Sequence, residues 1–123
     1  MKLKLKKINN VFIVNLIGDL DIHNSYKLKE TFLSLIEDDI KNIIFNLNKT
    51  SSIDFTGIGV FIYCFNMSKK LNVKMCLCNV KGVVAKLINL TNLNSFFNIT
   101  KNIKTSLDLL NHSESSFWKS NHQ

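Results

Sequence analysis

Short apolar runs alternate with segments of helical period along this chain, and that alternation narrows its folds more than any other feature. Val11-Phe12-Ile13-Val14-Asn15-Leu16-Ile17, Asn42-Ile43-Ile44-Phe45-Asn46-Leu47 and Val73-Lys74-Met75-Cys76-Leu77-Cys78 are strand-like. The second is short and nearly all apolar, as strands covered on both faces of a parallel sheet are. Between the first two, Leu28, Phe32, Leu35 and Ile36 recur at helical spacing behind Asn24-Ser25, a capping pair. Residues 57–71 and 83–88 read as two more helices, the latter capped near Asn79 or Lys81. Phe96 to Ile99 reads as a last short strand, Ile103 to Leu110 as a terminal helix, and 51–54 as a loop. Residues 2–8 alternate before the turn signal Asn9-Asn10, which predicts an N-terminal antiparallel hairpin. Strands alternating with helices mean βαβ units with right-handed crossovers. The expectation is an α/β fold: one domain over 1–111, with helices packed on a mixed, mostly parallel sheet of four to five strands. Residues 112–123 are expected to form a polar, mobile tail.

A chain of 123 residues is one domain long and large enough to bury a core. No apolar run approaches the ~18 residues of a membrane span. The start, Met1-Lys2-Leu3-Lys4-Leu5-Lys6-Lys7, is positive but alternates, which is strand behaviour and not that of a signal peptide. The net charge of +7 invites a nucleic-acid reading. It fails on composition: all 16 cationic residues are lysine, scattered, with no arginine to grip phosphates or read bases. Abundant Asn, Lys and Ile fit an AT-rich genome, and no direct nucleic-acid contact is expected. The three cysteines lack a metal-site spacing. Cys76 and Cys78 share one strand face and, like Cys64, read as small buried hydrophobes in a reducing, cytoplasmic compartment. His23, His112 and His122 belong to no recognisable carboxylate or hydroxyl motif, so neither an enzyme nor a cofactor or metal site is expected.

Two of the chain's 4 glycines fall in Ser52-Ile53-Asp54-Phe55-Thr56-Gly57-Ile58-Gly59-Val60, at a strand-to-helix passage. Partners of open α/β sheets meet the carboxyl ends of strands. Thr56 stands where a helix cap would sit, and Gly57 and Gly59 would let another molecule's backbone approach. Three readings stay open: a plain capped helix, a phosphate-binding loop, or a threonine that carries a phosphoryl group. The loop reading is weak, because Ile62 occupies the third-glycine position and no P-loop lysine follows. A helix N-terminus favours an attached phosphate. The helix that follows has two apolar stripes: Val60, Cys64, Met67 and Leu71, then Ile58, Phe61, Ile62 and Phe65. One stripe suffices to dock a helix, so the second is either deep core or a partner face.

Asp54-Phe55-Thr56-Gly57-Ile58-Gly59-Val60 is similar to the Asp-Ser-Ser/Thr-Gly-Leu-Gly-Val signature of STAS domains, specifically the bacterial anti-sigma factor antagonists. Gly18-Asp19-Leu20-Asp21 resembles that family's Gly-Glu-Leu-Asp. The likeness extends through Ile43–Asn46, Cys76–Asn79 and Val84–Leu93. It implies a partner that is both anti-sigma factor and serine/threonine protein kinase. The unphosphorylated antagonist binds that partner and frees sigma factor; phosphorylation on Thr56 ends binding, and a PP2C-like phosphatase resets it. It implies Asp21 beside the phosphosite, which Asp54, Gly57 and Gly59 also neighbour. Asp19, Phe55, Ile58, Phe61 and Phe65 are expected toward the partner, the two helix phenylalanines as aromatic anchors. Phe55 departs from the pattern, which has a small hydroxyl residue there. STAS domains also serve as non-switching scaffolds or subunits of stress-signalling and lipid-transport complexes, and such a role is the alternative.

Overall fold

The computed structural model describes residues 1–111 and 117. Strands β1 (Lys2–Ile8) and β2 (Val11–Leu20) form the antiparallel hairpin, closed by Asn9 at φ +54°. Helix α1 (Ser25–Glu37) leads to β3 (Asn42–Asn46), β4 (Thr50–Ile53) and helix α2 (Phe55–Lys70). Then follow β5 (Lys74–Cys78), α3 (Gly82–Leu90), β6 (Ile99–Thr100) and α4 (Ile103–Leu110). The path β1-β2-β3-β5-β6 is parallel from β2 onward, and β4 pairs with β2 beyond the end of β3.

Among the described residues the sheet therefore has 6 strands where four to five were expected. The extra one is β4, in the segment read as a loop. Its residues, Thr50-Ser51-Ser52-Ile53, carry no apolar alternation; backbone pairing holds them instead. β2 is long enough to serve both neighbours, pairing Phe12–Asn15 with β3 and Gly18–Leu20 with β4. Gly18, which reads as a break, sits at φ +99° beside a register shift and lets the strand continue. Its N–H donates to the Lys49 carbonyl at 2.9 Å. The buried Thr50 hydroxyl donates to the Leu16 carbonyl at 2.7 Å.

The row Val14, Phe45, Leu77 faces α2, where Phe45 meets Phe61 edge-on at 5.3 Å. The row Ile13, Ile44, Cys76 lies on the opposite face, with α4 against β3 and β5. The predicted final strand falls three residues late: Phe97 is buried under Phe61 and Phe65 instead. Phe117 is wholly buried with the core, while the rest of the segment read as a tail lies outside the described residues.

Cys64, Cys76 and Cys78 are free and buried, as their spacing suggested. Burial pushes the Cys64 and Cys76 thiols up to about 12, and raises that of Cys78. The folded chain thus holds these protons where an unfolded chain releases them. Stability should fall as pH rises from about 9 toward 12, by about 1.4 kcal/mol per pH unit for each thiol. Denaturant titrations across that window should show the slope reduced by one proton's worth in Cys76→Ala; an unchanged slope would refute this account.

Candidate functional site

The carboxyl ends of β2 and β4 deliver two turns to the start of α2. Asp54, not Thr56, is the cap: its Oδ1 accepts the Gly57 N–H at 2.9 Å, and its backbone is extended. Both residue types cap helices, and the chain turns helical two residues earlier than a threonine cap requires. Thr56 becomes the second helical residue, exposed in a first turn that holds no acidic side chain. The first N–H groups of any helix lack carbonyl partners within it, so Thr56 stands on the electropositive end of α2.

Asp54 also reaches sideways. Its Oδ2 accepts the Ile22 N–H at 3.0 Å, and its own N–H donates to the Leu20 carbonyl at 3.1 Å. These bonds clamp the turn that carries Asp21 onto the start of α2. Asp21 Oδ1 accepts the His23 N–H at 2.9 Å. Asn24 does not cap α1 with its side chain as expected; Oδ1 accepts the Asp21 N–H and Nδ2 donates to the Asp19 carbonyl. Asp19 is exposed and accepts from the Ser52 hydroxyl at 2.7 Å. Two acidic turns and the first turn of α2 are thereby fixed as one polar unit.

The two glycines have different jobs. A Cβ on Gly57 would lie 2.8 Å from Ile53 and 2.9 Å from Leu20, both core residues. Gly57 lets α2 close onto the sheet and clears no room for a partner, which corrects the sequence reading. Gly59 is exposed with nothing within 4 Å of such a Cβ, so its surface is open.

Ile58, Phe61 and Phe65, expected to face a partner, are core residues at 3%, 1% and 1% exposure. Phe61 and Phe65 pack on Phe97, and Phe61 also on Phe45. Ile58, Phe61 and Phe65 are buried against the sheet and Phe97, whereas of the other stripe Cys64 is buried, Val60 and Met67 are half-buried and Leu71 is exposed. Helix α1 packs against α2, with Tyr63 edge-on to Phe32 at 6.4 Å. Phe55 remains outside at 72% exposure. Ile22, 65% exposed in the clamped turn, went unnoticed in the sequence. An apolar residue between Asp21 and His23 in a turn was the available signal. Among the described residues no group of His, Cys, Asp and Glu could hold a metal ion, and no helix is long and apolar enough to cross a membrane.

Known proteins share this fold. The chain is 29% identical over 96 residues to the anti-sigma-B factor antagonist of Bacillus subtilis, covering 78% of this chain and 87% of that protein. An anti-sigma factor antagonist from Mycobacterium paratuberculosis superposes with a TM-score of 0.82 at 14% identity, over 90% of this chain and 94% of the other. The Bacillus cell fate determinant SpoIIAA, in its phosphorylated form, does so with a TM-score of 0.70 at 17% identity, over 89% and 99%. At such identities the two structures speak for the fold. The model of the STAS domain matches residues 2–107, nearly the whole described chain, and the protein belongs to the STAS domain family.

Proposed function

We propose that this protein is an anti-sigma factor antagonist whose binding is switched by a phosphoryl group on Thr56. The carrying observation is the placement of Thr56: an exposed hydroxyl in the first turn of α2, beside exposed Phe55 and open Gly59. Similarity to the Bacillus subtilis antagonist supports the role. That SpoIIAA exists in a phosphorylated form supports a covalent switch on this fold.

In this reading the unphosphorylated protein docks its α2 end, with Asp19 and Phe55, on an anti-sigma factor that is also a serine/threonine kinase. Docking frees sigma factor. The kinase then transfers the γ-phosphoryl of ATP to the Thr56 oxygen; ADP leaves and the hydroxyl proton is lost. The product carries −1.5 to −2 charge. Helix N–H groups tolerate that charge in the free protein, but burial against the partner beside Asp21 and Asp54 offers it no cation. A PP2C-like phosphatase would restore the hydroxyl.

The test is incubation with anti-sigma kinases of the same genome and ATP, followed by mapping of phosphate by mass spectrometry. Phosphate is expected on Thr56 alone, and Thr56→Ala should take up none yet bind constitutively. Phosphate on exposed Ser51, or on Ser52, would overturn the assignment.

A further inference from the structure

A polar row crosses the sheet on the face away from α2, one step beyond Ile13 and Ile44. Lys4 pairs with Asn15, and Asn15 with Asn46, at matching register on β1, β2 and β3. Over them opens a concavity of about 270 Å³, completed by Asn48 and Lys49 of the β3–β4 turn. Nothing in the proposed switch uses it.

Hydrogen bonds fix how its amides point. Asn46 Oδ1 accepts the backbone N–H of Asn48 at 3.2 Å and Asn79 Nδ2 at 2.8 Å. A backbone N–H can only donate, so the Asn46 oxygen must face it, and Asn46 Nδ2 is left to donate to Asn15 Oδ1 at 2.8 Å. The Lys81 ammonium, likewise only a donor, takes Asn48 Oδ1 at 3.0 Å. All three carboxamide oxygens are thus occupied by the protein itself. What the amides have left is N–H: Asn15 spends one, at 3.4 Å, on the Lys4 carbonyl. No carboxylate lines the concavity, and neither Lys4 nor Lys49 is ion-paired among the described residues.

A concavity lined by two lysines and by amides whose oxygens each already accept a hydrogen bond, with N–H groups to spare, suits a doubly charged oxyanion. We propose that it binds a phosphate monoester, with the phosphate oxygens between Lys4 and Lys49 and on the N–H groups of Asn15 and Asn48. The volume leaves room for a small hydroxylated body behind the phosphate. The same chemistry could come from a soluble metabolite or from a lipid headgroup, and the site's concave form favours the former.

The side-chain amide signals of the full chain, followed by ¹⁵N NMR, decide the matter. Glucose 6-phosphate should shift the Asn15, Asn46 and Asn48 amides with a dissociation constant of about 1 mM or tighter, and glucose should not. Lys49→Glu and the isosteric Asn48→Asp should each weaken binding by about tenfold or more with thermal midpoint unchanged, whereas Lys27→Glu on α1 should not. Pelleting with phosphatidylglycerol vesicles that is lost in Lys49→Glu, without a response to glucose 6-phosphate, would assign the phosphate to a lipid. Silence of the three amides toward both probes, or shifts that persist unchanged in Lys49→Glu and Asn48→Asp, would overturn the proposal.

Discussion

Thr56→Asp should bind the anti-sigma kinase at least about tenfold more weakly than the wild type, a loss of about 1.4 kcal/mol, while melting at the same temperature or slightly higher. The two halves of that result have separate causes. In the free protein the new carboxylate enters a first helical turn that has no acidic residue. There the helix dipole stabilises it by about 0.3–1 kcal/mol. In the complex it would be buried without a cation, near the turn that Asp54 clamps and that carries Asp21. Burying an unpaired charge costs several kcal/mol. Aspartate has one charge where phosphate has nearly two, so the effect is a lower bound on the natural switch. Titration calorimetry beside a melting curve measures both. Equal affinity of Thr56→Asp and wild type would count decisively against the switch.

Gly57→Leu should lose about 3 kcal/mol or more of stability, a fall in melting temperature of about 10 °C. Its Cβ alone would stand 2.8 Å from Ile53 and 2.9 Å from Leu20, and the Leu20 contact includes the branch carbon, which cannot swing aside. The neighbouring Gly59→Ala should do the opposite and gain up to about 1 kcal/mol, because an exposed helical glycine gives way to the best helix former with nothing in its path. Melting the two variants side by side tests the assignment. Similar midpoints would show that Gly57 is not a packing residue.

Period and spacing were enough for most of the architecture. The hairpin, α1 and the β3 and β5 strands lie where alternation or helical recurrence placed them, and α4 spans Ile103–Leu110 as read. β4 was invisible because its four residues are held by backbone pairing to β2 and not by apolar faces. The extension of β2 was hidden by Gly18, since a glycine that permits a bulge looks in sequence like one that ends a strand. At the site, the Asp54-to-Gly59 segment was legible as a helix start, but Asp54 and Thr56 are both capping types and only the backbone decides between them. Phe61 and Phe65 were misplaced for a related reason. A sequence shows how many stripes a helix has, and not which of them faces the core; Phe45 of the sheet and Phe97 cover Phe61 and Phe65.

Among the described residues the seven-residue strand β1 has one neighbour, β2, which leaves a long row of its backbone groups at the rim of the sheet. Such a rim invites a second copy to add on and propagate into aggregates. Four of its seven residues are exposed lysines: Lys2, Lys4, Lys6 and Lys7. Two copies meeting edge to edge would bring those charges into register, and each would repel its counterpart. The opposite rim, β6, is two residues long and offers little to pair with. For a protein whose proposed work is to pass between partners, this matters through mass action: every molecule lost to self-association is withdrawn from the competition. The lysine content that says nothing about nucleic acid would thus act on colloidal behaviour, keeping the exchangeable pool large.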